Sequence, residues 1–256
     1  MNPYGYSNHW NMSSAPNHFY QAVHPNSPYI ITGEMADVTG DGIPDKIFLT
    51  GNKEMDSPYI RNISLVLIDG RTNELSMYTL PENAGYDPTL WIGPITGKQK
   101  NDVLITIQSG GSGAIVFAYV FSFINGSMKK VFDSIQFHEA QKYGVNYTND
   151  YKVVITSSSP RKRYILDIQT KGKEYLNEIY TPDGRLKTPI SGWVDPISGI
   201  YPIDYTGNGT YALLTREQIA GRYHADGLGT VENLLAWNGS RFENVRQSVA
   251  IYGENL

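Results

Sequence analysis

The stretch Asp37-Val38-Thr39-Gly40-Asp41-Gly42-Ile43-Pro44-Asp45 sets carboxylates at positions one, five and nine of a glycine-containing loop. Ca²⁺ takes six to eight oxygen ligands in flexible geometry, so acids at alternate positions can converge on one ion while Gly42 permits a sharp turn. An EF-hand opens the same way, but needs a bidentate Glu at position twelve between two helices. Here Phe48 stands at that position, inside Lys46-Ile47-Phe48-Leu49-Thr50, which reads as a strand. The loop therefore joins two strands and predicts a β fold. Its candidate ligands are Asp37, Thr39, Asp41, the carbonyl of Ile43, and Asp45, for one structural Ca²⁺. The expectation is that Asp41→Ala lowers the melting temperature in calcium but not in chelator. The competing reading is that the acids cap the turn by Asx-type hydrogen bonds.

Outward from the loop, a repeat runs in two registers. Thr39-Gly40, Thr96-Gly97 and Thr206-Gly207 each precede an apolar strand, and Thr156 fits as a further member. Hairpin-type dipeptides recur at Asp69-Gly70, Asn125-Gly126, Asp183-Gly184 and Asn238-Gly239, spaced 56, 58 and 55 residues apart. Each unit reads as four strands, which is one blade of a β-propeller. The fold class expected is all-β, a propeller of about four four-stranded blades at 29–82, 87–138, 143–190 and 197–252. His138 to Lys142 and Ser191 to Trp193 serve as connectors. Five blades, or a β-sandwich, are the alternatives.

These loops and strands resemble the FG-GAP and VCBS repeats of integrin-like β-propellers, whose Asp-rich loops hold calcium. The likeness covers the chain beyond residue 28, and implies the ligand set already named. The other copies depart from it: the second has Pro94, Thr96, Lys98 and Asp102 at the ligand positions, the third has no carboxylate, and the fourth offers Ala212 where the last Asp belongs. One metal site is the expectation.

Composition bounds the partners. The 256 residues are 40% hydrophobic and 12% aromatic, enough for a packed core. A net charge of -4 with no basic stripe predicts no nucleic-acid partner. The chain has no cysteine, hence no disulfide or thiolate chemistry. No signal peptide is read at the N-terminus. The longest apolar run, Ala114 through Ile124, is half of the roughly 20 residues that a spanning helix needs, so no membrane anchor is expected.

Residues 1 to 33 contain no Lys, Arg, Asp or Glu. Residues 1–28 read as a flexible head rich in Tyr, Asn, His and Pro, and residues 29–256 as one propeller domain. The head resembles the termini of Bacillus spore coat proteins, which assemble from the cytoplasm. That likeness implies a non-catalytic structural or interaction protein of the spore coat, with other coat proteins or a surface glycan as partner. A calcium-dependent carbohydrate-binding or adhesion module is the second reading, and a polysaccharide hydrolase or lyase the third. Gln108 to Gly113 reads as a strand-to-strand turn, because it lacks the Lys-Ser/Thr ending of a phosphate loop. His224 and Asp226 are candidate ligand contacts in a linker, and no spacing nominates a catalytic pair.

Overall fold

The computed structural model describes residues 28–53, 57–98 and 100–253, so the expected head at 1–28 lies, but for its last residue, outside the described residues. The described residues form antiparallel sheets with two short α-helices. It divides into two compact units.

The first unit holds residues up to Ser109, Phe117–Phe132 and Thr206–Thr210. It contains two meanders, each with strands in sequence order. One runs β1 (Tyr29–Ala36), β2 (Asp45–Lys53), β3 (Ile60–Ile68) and β4 (Leu75–Thr79), and the other β5 (Tyr86–Gly93), β6 (Asp102–Gln108), β7 (Val116–Ile124) and β8 (Ser127–Asp133). The inner strands read as continuous apolar runs because both faces are covered. Ile47, Leu49, Leu65 and Leu67 face the main core of this unit, while Phe48, Val66 and Ile68 pack on the opposite side. Val103, Ile105, Ile107, Tyr119 and Phe121 add the second meander to the main core. Asn125 and Gly126 form the two-residue link from β7 to β8 with φ of 51° and 79°, the positive values that a type I′ turn requires. The Asp69-Gly70 pair instead opens a six-residue link between β3 and β4.

The second unit holds residues 110–116, 133–205 and 211–256. Its strands are β9 (Tyr143–Thr148), β10 (Lys152–Ser158), β11 (Arg161–Asp167), β12 (Ser191–Ile203), β13 (Ala212–Ala220), β14 (Gly227–Trp237) and β15 (Phe242–Ala250). They form one seven-stranded sheet in the order β11-β10-β9-β12-β13-β14-β15. Two separate blades at 143–190 and 197–252 are therefore not what these residues build. The cause is β12. Its first residues, Ser191 and Gly192, pair with β9, while Trp193 onward pairs with β13 across bulges between Val194 and Ile197 and between Ile197 and Gly199. Bulges bend and twist a strand, so one long strand serves both halves of the sheet. Ser191 to Trp193 is strand rather than connector.

The other departures are local. Ser134–Ala140, expected in part as a connector, is helix α1, capped by Asp133, whose carboxylate accepts the amides of Ile135 and Gln136. The third expected unit has no fourth strand. Helix α2 (Lys173–Ile179) takes its place, and Asp183-Gly184 turns the chain after that helix. Thr156 lies inside β10, paired with Arg163, so it opens no loop. Gln108 to Gly113 does link strand to strand, β6 to β7.

The two meanders share one loop device. Asp45 and Asp102 are fully buried at the first positions of β2 and β6. Asp45 Oδ2 accepts the amides of Val38 and Thr39, both at 2.9 Å. Asp102 Oδ2 accepts those of Ile95 at 2.9 Å and Thr96 at 2.6 Å. Hydrogen bonds to a buried charge contribute about 1.5–3 kcal/mol each, and losing the acceptor leaves amides unsatisfied. Asp102→Ala is expected to destabilise the chain by at least about 2 kcal/mol in urea unfolding. A change within about 0.5 kcal/mol, as for an ordinary surface substitution, would refute the clasp.

Candidate functional site

The loop 37–45 joins β1 to β2, as its sequence predicts, but its acids do not converge on a common point. Asp37 Oδ1 accepts the amides of Gly40 at 2.7 Å and Asp41 at 3.1 Å, and its Oδ2 accepts that of Gly42 at 2.8 Å. Asp45 turns inward, with Gly70 N donating to Oδ1 at 2.9 Å. Asp41 Oδ1 takes the Ile43 amide at 2.8 Å. Asp41 Oδ2 takes Arg71 Nε at 2.6 Å, and Arg71 Nη2 donates to the Asp41 carbonyl at 2.8 Å. The hydrogen bond from Arg71 holds the Asp41 carboxyl below its usual range.

All six carboxylate oxygens thus accept hydrogen bonds from N–H donors. Thr39 Oγ1 is buried without a partner among the described residues. Among the described residues, no group of three or more His, Cys, Asp or Glu side chains is placed to hold a metal. As placed, Asp37, Asp41 and Asp45 cap a turn that Arg71 closes, and one Ca²⁺ at Asp37, Thr39, Asp41, Ile43 and Asp45 stands as an expectation. Spacing alone does not separate the two, because both uses call for acids at alternate positions. Arg71 was missed because it lies 30 residues further on and is brought back by the β3–β4 link.

His224 and Asp226 are given different partners. His224 is half-exposed, with Nδ1 3.2 Å from Asp195 Oδ1, and its ring stands edge-on to Trp193 at 5.0 Å. Trp193 Nε1 donates to Asp195 Oδ1 at 2.8 Å. Asp195 is buried at the first bulge of β12. Asp226 is also buried, and clamps the β13–β14 link to α2 and the 3-10 turn Gln169–Lys171. Its Oδ1 accepts Lys171 Nζ at 2.8 Å, and its Oδ2 accepts Tyr175 OH at 2.7 Å, Arg222 N at 2.9 Å and Tyr147 OH at 3.3 Å. Gly221 makes room for this clamp: a Cβ there would lie 2.2 Å from Asp226 Oδ2 and 2.3 Å from Tyr147 OH.

Burial alone raises the Asp226 pKa, yet Lys171, Tyr175 and the Arg222 amide together hold it below the ordinary value. Burial first, and then the hydrogen bonds to Asp226 and Tyr147, pushes Tyr175 well up, and burial likewise raises Tyr147 although its hydrogen bond with Tyr175 works the other way.

The densest polar group is one the sequence reading passed over. Glu217 is fully buried. Its Oε1 lies 2.9 Å from His138 Nδ1, and its Oε2 accepts Tyr143 OH at 2.8 Å and Asn233 Nδ2 at 2.9 Å. Burial, then the Glu217 charge, lifts the Tyr143 pKa far above normal. Asn233 Oδ1 accepts Gln247 Nε2 at 2.8 Å and Asn244 Nδ2 at 2.6 Å. Gln247 Nε2 also reaches Ser157 Oγ at 3.3 Å, and the Gln247 carbonyl accepts Tyr164 OH at 3.1 Å and Lys162 Nζ at 3.2 Å. This belt ties β15 to β10 and β11, so side chains join the two edges of the seven-stranded sheet. Alternation along β13 was the available signal: Leu213, Thr215, Glu217 and Ile219 share one buried face.

The seven-stranded sheet with its internal belt defines an all-β domain of its own, and residues 141–250, which span it from β9 to β15, match the YybI C-terminal domain. The chain is 45% identical to protein YybI of Bacillus subtilis (strain 168) over 256 residues, 100% of this chain and 97% of that one. It belongs to the YybI family. No solved structure matches it.

Two outcomes test these sites. For the acidic loop, Asp41→Ala and Arg71→Ala are each expected to lower the melting temperature by the same amount in calcium and in chelator. Stabilisation of the parent chain by calcium, lost in Asp41→Ala, would instead identify the loop as an ion site. For the clamp, the depressed Asp226 pKa contributes stability that is fully present above the unfolded value of about 3.9 and is lost as pH falls through the folded value. The raised Tyr147 and Tyr175 pKa values contribute stability present below about pH 10 and lost as pH rises beyond it. Urea midpoints of Asp226→Asn should therefore approach those of the parent below about pH 3.9. A pH-independent gap would dismiss the charged clamp.

Proposed function

We propose that this chain is a non-catalytic structural and interaction protein of the spore coat, a strand-built body carrying an uncharged aromatic head. The observation that carries the reading is the head itself: no charged residue before Glu34, with Tyr4, Tyr6, Trp10, Phe19 and Tyr20 among its aromatics. Such a segment has little ionic solvation to oppose association, and its aromatics suit intermolecular contact or tyrosine cross-linking. Kinship with a Bacillus subtilis protein agrees with the compositional likeness to coat proteins of that genus.

The body supports a scaffold role. Its buried acids Asp45, Asp102, Asp195, Glu217 and Asp226 all bond within the protein, where they fix loops, a bulge and a sheet closure. We read the two meanders β1–β4 and β5–β8, each with its Asp-clasped loop, as propeller-type blades. No helix among the described residues is long and apolar enough to cross a membrane.

One observation favours the glycan-binding alternative. Trp193, with half-exposed His224 and the buried Asp195 beside it, is the kind of aromatic and polar grouping that stacks on sugars.

The decisive measurement is the position of a fluorescently tagged chain in sporulating cells, with and without residues 1–28. The intact chain is expected at the coat and the truncated chain in the cytoplasm, with unchanged circular dichroism. Diffuse fluorescence of the intact chain throughout sporulation would end the coat reading. Retention of the truncated chain at the coat would move docking from the head to the body.

A further inference from the structure

In the first unit, a cleft of about 510 Å³ is lined by Thr39 and Gly40 of the β1–β2 loop and by Gly97, Lys98 and Lys100 of the β5–β6 loop. The two loops are counterparts, since each closes on the Asp that begins the next strand. Their fifth positions carry opposite charges. Asp41 in the first is neutralised by Arg71, whereas Lys98 in the second is exposed and has no bonding partner among the described residues.

Other features give the cleft a positive character. Lys100 Nζ donates to the Phe123 carbonyl, which anchors this second ammonium in the wall. The nearby Asp37 carboxylate is turned onto the amides of its own loop, and no acidic side chain is among the lining residues. Thr39, whose backbone lies in the wall, has a buried hydroxyl with no partner among the described residues, whereas its counterpart Thr96 donates to Asp102 Oδ1 at 2.9 Å. A Cβ built on Gly97 would meet nothing within 4 Å, so the backbone there is open to close approach.

We propose that this cleft binds a phosphate group, with Lys98 and Lys100 as the cationic donors. Ammonium groups act on phosphate as point charges with freely rotating donors, and two of them suit a compact oxyanion. The ligand is free phosphate or a phosphodiester of a polymer; both present unesterified anionic oxygens, the diester two of them with a single charge.

The test is isothermal titration of the full chain with inorganic phosphate, with a glycerol phosphodiester and with acetate, at fixed ionic strength. Phosphate or the diester is expected to bind and acetate to bind more weakly. Whichever of the first two binds tighter assigns the source, and either supports the site. Lys98→Gln, at an exposed position, should weaken binding roughly tenfold, the loss of one charge-assisted contact. Lys129→Gln, which removes an exposed lysine on β8, should leave binding unchanged. Equal losses in the two variants would reduce the effect to general electrostatics and overturn the site. So would acetate binding as tightly as the better of the two phosphates, or the absence of heat from both phosphate and the diester.

Discussion

The buried carboxylate of Glu217 is the constraint on which the second unit turns. A seven-stranded sheet leaves two strands with unpaired backbone edges, and an exposed edge is a template for further pairing. Here β11 and β15 meet through side chains: Tyr164 and Lys162 hold the Gln247 carbonyl, while Gln247, Asn233 and Glu217 continue the chain of bonds inward to Tyr143 and His138. In a low-dielectric interior each bond of such a belt strengthens its neighbours, and each missing partner is costly. Burying the charge of Glu217 is tolerated because three donors surround it. The sheet is thereby held to one register, since a slip of one residue would send Glu217 outward and bring Arg216 or Gln218 into the belt.

The first unit solves a different problem with smaller means. Its loops must leave a strand, turn and re-enter the sheet without stranding amides in the core, and a single buried Asp does this twice. What surrounds that Asp is free to differ. In one loop the spare oxygen of Asp45 reaches the Gly70 amide and so ties in the β3–β4 link, and in the other Asp102 takes up the hydroxyl of Thr96. The helix-side clamp on Asp226 follows the same logic with side-chain donors, Lys171 and Tyr175 in place of most of the amides.

Much of the first unit was legible because its signals are local. Apolar strands after the Thr-Gly pairs marked β2 and β6, the run from Ala114 marked β7, and Asn125-Gly126 marked a two-residue hairpin. The second unit was less so, because its architecture depends on partners remote in sequence. Nothing near Ser191 announces that β12 will pair with β9 before it pairs with β13, and Asp183-Gly184 turns a chain leaving a helix as readily as one leaving a strand. The acidic loop was correctly placed between strands, but its chemistry hinged on Arg71. Glu217 stood on the buried face of β13 in plain alternation, while its partner His138 lies 79 residues earlier, beyond the reach of any local pattern.

The buried Asp at the end of each first-unit loop has a consequence for how this protein can vary. Because each frame is anchored by that Asp and by the buried Val38 or Ile95 beside it, the outer rim can be recharged without reshaping what lies beneath. Asp41 and Lys98 occupy matching places on the two rims with opposite sign, and both loops still re-enter their sheets in the same manner. The rims behave as exchangeable faceplates on a fixed chassis.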